Sequence, residues 1–326
     1  MEDLLYLVHR IPYPPNKGDK IRSYHLLKHL SHRYRVHLGT FIDDRNDWQH
    51  VEKVRSLCAE TCFVELSPRT ARVRSLAGFF SRQPLTLPYY RNGRLQTWVN
   101  KVLDTLRIRN ILVFSSAMAQ YVAHADQALR IIDFVDIDSD KWQQYAETTR
   151  WPMSWVYRRE SRLLLNYEKL VAKNFDSATF VSEAEAEMFN RLAPETAPKV
   201  TYFNNGVDAD YFSPNENSSN PYPGGVRVLV FVGAMDYWAN IDAVDFFARR
   251  IFPRIRMRLP EVEFYIVGAR PAAEVAALAS LPGIKVTGSV PDVRPYLTHA
   301  SLAVAPLRIA RGVQNRYWKR WPWRKS

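Results

Sequence analysis

Short apolar runs alternate with helix-like stretches along the first two thirds of the chain. Six of these runs have the length and the aromatic or branched content of buried strands. They span residues 4–11, 34–42, 61–67, 111–116, 130–137 and 177–182. After the first run, residues 21–33 place Ile21, Tyr24, Leu26, Leu27 and Leu30 along one side of a helix. Strands that alternate with helices predict an α/β, doubly wound fold with parallel sheets.

A second strand–helix series follows a break in the pattern. Residues 211–225 are dominated by Pro, Asn, Ser and Gly, which predicts an exposed connection. Beyond it, apolar runs predict four more strands. They span residues 226–235, 262–269, 284–290 and 301–307. Because a Rossmann-like sheet normally has about five or six strands, this pattern predicts an incomplete second domain.

The composition is that of a globular protein. A chain of 326 residues can form two domains that each bury a core. No apolar run approaches the roughly 20 residues that cross a bilayer, and the apolar start of the chain is typical of a buried strand, so we expect a cytoplasmic protein. Cys58 and Cys62 are the only cysteines, too few for a disulfide framework or a zinc site, and we expect no metal.

The net charge of +12 indicates a negatively charged binding partner but not its class. Such an excess attracts polyanions of any kind. It does not by itself distinguish nucleic acid, nucleotide-sugars and an anionic membrane face.

Several motifs occur in an order that identifies a family. "YFNNGVDADYFSP" at residues 202–214 resembles the interdomain signature of glycosyltransferase family 4. "VFVGAMDYWANIDAVDFF", "YIVGARP", "VTGSVPDVRPYL" and "VAPLRIARGVQN" follow as in the donor domain of that family, while "PYPPNKGDKIRSYHLLKHL" and "DFVDIDSDKW" are similar to its acceptor domain. More narrowly, the set resembles glycosyltransferases of bacterial exopolysaccharide and exosortase gene clusters.

The resemblance implies a GT-B fold, in which two Rossmann-like domains face each other across a cleft. Residues 1–205 would bind the acceptor, and residues 206–315 would form a partial domain for the nucleotide-sugar. Transfer in the family is retaining and usually needs no metal, so a nucleotide-sugar co-substrate and no cofactor are expected. The acceptor would be a glycan or a polyisoprenyl-linked sugar, with a peripheral position at the inner membrane face and no specific nucleic acid.

The first candidate site joins the first strand to the first helix. Gly18 allows close backbone approach, and the N–H groups of the helix start favour a phosphate. Lys17 and Arg22 add positive charge. The alternative is a solvated turn that only caps the helix.

The second candidate site is the acidic segment at residues 133–140. Strand alternation places Asp136 and Asp138 on one side, where a carboxylate could orient sugar hydroxyls or accept a proton, and both are predicted to be catalytic. Equally, Asp138 or Ser139 could cap a helix that starts at Lys141. We expect His9 to be a packed or surface histidine and not a general base.

The donor site is predicted at strand ends of the second series. Gly233 is the expected diphosphate contact, and Arg270 is a candidate for the base or ribose. Many family members carry an Arg and a Lys after the first strand of this domain, but here the segment reads "MDYWAN". Arg308, Arg311 and Gly312 in "PLRIARG" are the predicted substitutes, because an arginine fork suits phosphate.

The last eleven residues, 316–326, replace a family helix that begins with a sequence like "VLEAMA" and whose Glu binds ribose. Reading the implied codons from the third base of Arg316 gives Val, Ile or Leu, then Leu, then Glu, and later codons compatible with "AMAMA" if Arg320 and Arg324 use CGN. We hypothesise that this tail is out of frame and that activity is impaired. The alternatives are a non-catalytic nucleotide-sugar or glycan-binding remnant, and a basic membrane or nucleic-acid binder that uses the Trp-rich tail.

Overall fold

A computed structural model describes residues 1–15, 18–213 and 218–308. The chain divides into two compact units, Met1–Asn204 and Asn205–Ser326. Each is considered by itself. Some of the predictions concern residues outside the described ranges, namely Lys17, Arg311, Gly312 and the tail at residues 316–326.

The first unit is built on one seven-stranded parallel sheet. Its strands are β1 Glu2–Val8, β2 Tyr34–Ile42, β3 Glu60–Glu65, β4 Asn110–Phe114, β5 Leu129–Val135, β6 Ser177–Phe180 and β7 Val200–Tyr202. They lie in the order β3-β2-β1-β4-β5-β6-β7, and all pairings are parallel. The six predicted strands are confirmed, and the three-residue β7 extends the sheet.

Helices cover this sheet. They are α1 Gly18–Ser31, α2 Val51–Arg55, α3 Pro68–Ser75, α4 Ala77–Phe80, α5 Thr86–Tyr89, α6 Gly93–Leu106, α7 Asp138–Thr148, α8 Met153–Asn174 and α9 Glu183–Leu192. Successive residues of β1 point to opposite faces. Leu5 and Leu7 therefore join one buried cluster, while Tyr6 and Val8 join another.

Helix α1 differs from its predicted apolar face. Among the five predicted apolar positions only Leu27 is fully buried, whereas the charged Lys20 and Arg22 are buried too. The Lys20 ammonium is 2.6 Å from a carboxylate oxygen of Asp47. Buried charges require such partners, and hydrophobic spacing alone does not reveal them.

The second unit contains a four-stranded parallel sheet in its described part. Its strands are β8 Arg227–Val232, β9 Val262–Val267, β10 Ile284–Gly288 and β11 Leu302–Ala303, in the order β10-β9-β8-β11. The helices are α10 Trp238–Phe246, α11 Phe252–Arg258, α12 Ala273–Ala277 and α13 Arg294–His299, and a π-helical turn, Phe247–Ile251, joins α10 to α11. The four predicted strands are confirmed.

The prediction that residues 211–225 form an exposed connection is wrong at two positions. Phe212 and Tyr222 are buried against the second sheet. The Tyr222 hydroxyl donates to the carbonyl oxygen of Tyr296 at 2.6 Å, and its ring lies 4.7 Å from that of Tyr265. The composition of the segment does not reveal that Phe212 and Tyr222 are buried, because their neighbours are turn-forming residues.

Both sheets contain a point at which the strand order reverses. In the first sheet it lies between β1 and β4, and in the second between β8 and β11. In open α/β sheets, ligands bind outside the carboxyl ends of the strands at such points. A ligand-binding site is therefore expected in the segments that follow these four strands.

Candidate functional site

In the second unit, two glycines bring neighbouring loops together at the carboxyl edge of the sheet. A Cβ atom on Gly268 would lie 1.7 Å from the carbonyl oxygen of Gly233, so only glycine fits at residue 268. The Gly233 N–H donates to the carbonyl oxygen of Val267 at 3.1 Å. The glycine after β9 thus has a structural reason, which is close contact between two backbone segments.

Asn240 fixes the loop after β8 against helix α10. Its buried side chain donates to the carbonyl oxygen of Ala234 at 2.7 Å, and a Cβ on Gly233 would lie 2.8 Å from the same amide nitrogen. The first turn of α10 begins at Trp238, beside this loop. Unpaired N–H groups and partial positive charge at a helix start favour an anion.

Two of the three arginines predicted for this unit lie in the described residues, and both bind a carboxylate. The Nε of Arg270 is 2.9 Å from Asp236, and both side chains are about half exposed. Arg308 follows β11 and donates two hydrogen bonds to Asp242 of α10. Its guanidinium carbon lies 4.6 Å from the ring centroid of Phe246. The structure therefore brings Gly233, Arg270 and Arg308 to one edge of the sheet.

In the first unit, Gly18 begins helix α1, and a Cβ there would meet nothing within 4 Å. Arg22 has a different environment from the one expected. It forms a buried ion pair in which its Nε is 2.7 Å from Asp133, and its guanidinium carbon lies 3.7 Å from the ring centroid of Phe203. A phosphate role for Arg22 stays a prediction, while its observed contacts join α1, β5 and the residue after β7.

Asp136 and Asp138 contact a common partner, but strand alternation does not place them, because β5 ends at Val135 and α7 begins at Asp138. Both contact the Lys141 ammonium, at 3.0 and 3.1 Å. Burial lowers the pKa of Lys141, but the two carboxylates outweigh it and hold the pKa above its usual range. Helix α7 begins at Asp138 and not at Lys141. The lysine therefore holds both aspartates close together.

The alternative that Asp138 or Ser139 caps a helix starting at Lys141 is wrong. Ser139 instead contacts Glu168, which the sequence does not single out. Glu168 of α8 accepts hydrogen bonds from the backbone N–H of Ser139 at 3.2 Å and from its hydroxyl at 2.5 Å. The N-cap residue of α7 is Ile137, whose side chain makes no capping hydrogen bond. Glu168 occupies a position in the helical pattern "LLLNYEKL" that suggests only a packed helix, so its contact could not be read from spacing.

Burial changes the charge preference of Glu168. The carboxyl group is fully buried, and this burial together with the charge of Asp138 raises its pKa to about 8, against the opposing hydrogen bonds from Ser139. At neutral pH a protonated carboxyl therefore contacts Ser139, the residue that follows Asp138. Strongly shifted groups of this kind concentrate at functional sites.

A second group in the first unit lies at the strand-order reversal. The Nε2 of His9 is 3.4 Å from Asp19, and the Nη1 of Arg10 is 3.0 Å from the same carboxylate oxygen. Burial raises the pKa of Asp19, but the hydrogen bond from His9 and the charges of His9 and Arg10 hold it well below its usual range. His9 also stacks on Phe114 with ring centroids 5.9 Å apart, so it is packed, as expected.

Within residues 1–15, 18–213 and 218–308, no three His, Cys, Asp or Glu side chains are grouped so as to hold a metal ion. Among the same residues, no helix is long and apolar enough to cross a membrane.

Comparison with known proteins connects this geometry to a class. Residues 226–318 match the family model described as "Glycosyl transferases group 1", a range that includes the edge around Gly233 and Gly268. No curated protein sequence matches the chain. The matched domain and the fold together define the chain as a glycosyltransferase with a GT-B fold.

Three solved structures illustrate the fold. Anabaena HepE in complex with UDP and glucose has a TM-score of 0.56 at 15% identity, and the alignment covers 93% of this chain and 73% of HepE. A glycosyltransferase from Rickettsia africae has a TM-score of 0.55 at 12% identity, with 93% and 72% covered. An α,α-trehalose 6-phosphate synthase from Burkholderia multivorans reaches 0.61 at 12% identity, with 100% and 82% covered.

Proposed function

We propose that the protein is a retaining, metal-independent family 4 enzyme that transfers a sugar from a nucleotide-sugar to a glycan or polyisoprenyl-linked acceptor in exopolysaccharide synthesis. It would act in the cytoplasm, peripherally at the inner membrane face. The observation that carries the proposal is the match over residues 226–318, which contains the glycine-bounded loops and the start of α10. HepE, crystallised with UDP and glucose, supports a nucleoside diphosphate sugar as donor.

The second unit would bind the donor diphosphate. The loop after β8 ends at a helix start, where backbone N–H groups can reach phosphate oxygens. Arg308 would exchange Asp242 for a phosphate, because an exposed ion pair contributes at most about 1 kcal/mol and is easily opened. Arg270 would move from Asp236 to the base or ribose in the same way.

The first unit would orient the acceptor. Asp136 and Asp138 are paired on Lys141 and about one-third exposed, so their oxygens can accept hydrogen bonds from sugar hydroxyls. Lys17 and Gly18 would add phosphate contacts for a lipid-linked acceptor.

Nucleotide binding is the first test, since it can be measured without an acceptor. Calorimetric titration with UDP, GDP and ADP should reveal one preferred diphosphate. Arg308→Gln should weaken its affinity by about tenfold or more, since a charge-assisted hydrogen bond contributes about 1.5–3 kcal/mol. Arg249→Gln is the matched control, because Arg249 also pairs with a nearby aspartate, Asp245, on the same helical segment.

Transfer is tested next with the preferred nucleotide-sugar and a polyisoprenyl-linked acceptor. The anomeric configuration of the product, followed by NMR, distinguishes retention from inversion. Nucleotide binding without transfer, in a chain whose tail has been restored to the family sequence, would favour a non-catalytic binding protein. Failure of every diphosphate to bind would refute the proposal.

A further inference from the structure

The first unit exposes an unusual number of large apolar side chains on two segments. They lie on helices α3 and α4 and on residues 151–155 at the start of α8. Phe80 is 92% exposed and Trp151 is 81% exposed. Val73, Leu76, Met153 and Trp155 are exposed as well. We call residues 68–82 and 150–162 together the aromatic–arginine surface.

The two segments form one continuous surface. The rings of Phe79 and Trp155 stack with centroids 6.2 Å apart and an interplanar angle of 5°. Arg159 bridges them, because its guanidinium carbon lies 4.9 Å from the Phe79 centroid and its Nη2 donates to the carbonyl oxygen of Gly78 at 2.5 Å. Glu160 accepts hydrogen bonds from the Leu85 N–H at 2.6 Å and the Thr86 N–H at 2.9 Å, which fixes the segment after α4 to α8.

The charges on this surface have one sign. Glu160 is the only acidic residue in the two segments, and it is buried. The exposed arginines are Arg69, Arg72, Arg74, Arg82, Arg150, Arg158 and Arg162. A pocket of about 360 Å³ lies beside Trp155 and is lined by that residue and by Arg158, Arg159 and Arg162. Three guanidinium groups around one pocket suit a phosphate.

We infer that the aromatic–arginine surface docks on a bilayer that carries anionic lipid headgroups. Trp and Arg are favoured at the boundary between headgroups and acyl chains, where an aromatic ring or an apolar stem enters the boundary and the charge stays with phosphate. The aliphatic Val73, Leu76 and Met153 offer no ring for stacking on nucleic-acid bases. Their exposure fits hydrocarbon contact better than base contact.

The inference extends the proposed function, because a lipid-linked acceptor would lie in the same bilayer. Its test needs no transfer activity, so the two can fail separately. The probe is a vesicle of phosphatidylglycerol and phosphatidylcholine in equal amounts, compared with a vesicle of phosphatidylcholine alone. Binding of the full chain is measured by flotation and by the blue shift of tryptophan fluorescence.

The expected result is salt-sensitive binding to the anionic vesicle only. The double variant Phe80→Ser, Trp151→Ser should lose more than about tenfold in affinity. The double variant Arg72→Gln, Arg158→Gln should lose about fivefold for each charge removed. Met257→Ser is the matched control, since Met257 is 77% exposed among arginines of the second unit, and it should bind as the parent does.

Circular dichroism verifies that each variant is folded, which is expected because the replaced side chains are exposed. Equal affinity of the parent and both double variants for anionic vesicles would overturn the inference. So would loss of self-association in the aromatic variant, measured by sedimentation, with vesicle binding unchanged, since the surface would then contact a second copy. Tighter binding of the surface to RNA than to vesicles would also overturn it.

Discussion

Glu168 provides the sharpest test of the structure, because its predicted charge state is opposite to that of an ordinary glutamate. The fully buried carboxyl has a pKa raised to about 8 from the usual 4.5. The folded protein therefore holds a proton that the unfolded chain releases between these values. Stability is highest below pH 4.5 as far as this group is concerned, and it falls as the pH rises towards 8.

The magnitude follows from proton linkage. Each pH unit between the two pKa values changes the free energy of unfolding by about 1.4 kcal/mol, so about 2 kcal/mol is lost between pH 6 and pH 8. Glu168→Gln cannot ionise and keeps both contacts with Ser139, since its oxygen can accept from the N–H and its amide can donate to the hydroxyl. The variant should therefore lack this part of the pH dependence and become the more stable protein at pH 8.

The assay is urea unfolding of both proteins at pH 6 and pH 8. A separate infrared measurement on the folded proteins detects the carboxyl group. A protonated-carboxyl band at neutral pH should be present in the parent and absent in the variant. Glu160→Gln is the control from the same helix. Both Glu160 oxygens accept from backbone N–H groups, so its amide would face a donor and stability should fall at every pH. Parallel pH profiles for the parent and Glu168→Gln would refute the reasoning.

Three further predictions concern other parts of the chain. Gly268→Ala should destabilise by at least about 2 kcal/mol in urea unfolding, because its methyl would overlap a backbone carbonyl oxygen, while Gly224→Ala has open space and should not. Asp133→Asn should cost about 3–5 kcal/mol in the same assay, because it leaves Arg22 buried without its charged partner. For residues 316–326, resequencing the gene should reveal a single-base change or an open continuation in the shifted frame, and a confirmed frame without such coding would contradict the frameshift hypothesis.

The fold could be predicted because its signal is local. Every strand from β1 to β6 and from β8 to β11 is an apolar run that alternates with helical spacing, and such runs determine an α/β class. Gly233 was also correctly placed at a strand end, since a glycine after an apolar run marks a strand terminus. The burial of Tyr222 could not be predicted, because its neighbours are Pro and Gly and its packing partners, Tyr265 and Tyr296, are distant in sequence.

The candidate site could be predicted only in its residue types. Asp136 and Asp138 stand out because acids crowd a strand end, but strand alternation does not extend to them, since β5 ends at Val135. Their partner Lys141 is only three and five positions away along the chain. Glu168, in contrast, reaches Ser139 only through contact between α7 and α8. Such contacts join residues up to some thirty positions apart and leave no periodic trace in the sequence.

Contacts between residues distant in sequence also affect which arginines can bind a ligand. Among the described residues, the sequence predicts phosphate contact for Arg22 and Arg308 and base or ribose contact for Arg270, yet each of the three already binds a carboxylate. A diphosphate must therefore displace an internal partner from whichever arginine it uses. The exposed pairs of the second unit contribute at most about 1 kcal/mol each and can open, whereas leaving Asp133 buried without Arg22 would cost about 3–5 kcal/mol. Exchange of the carboxylate for a ligand is therefore easier for Arg270 and Arg308 than for Arg22, whose ion pair with Asp133 joins α1 to β5.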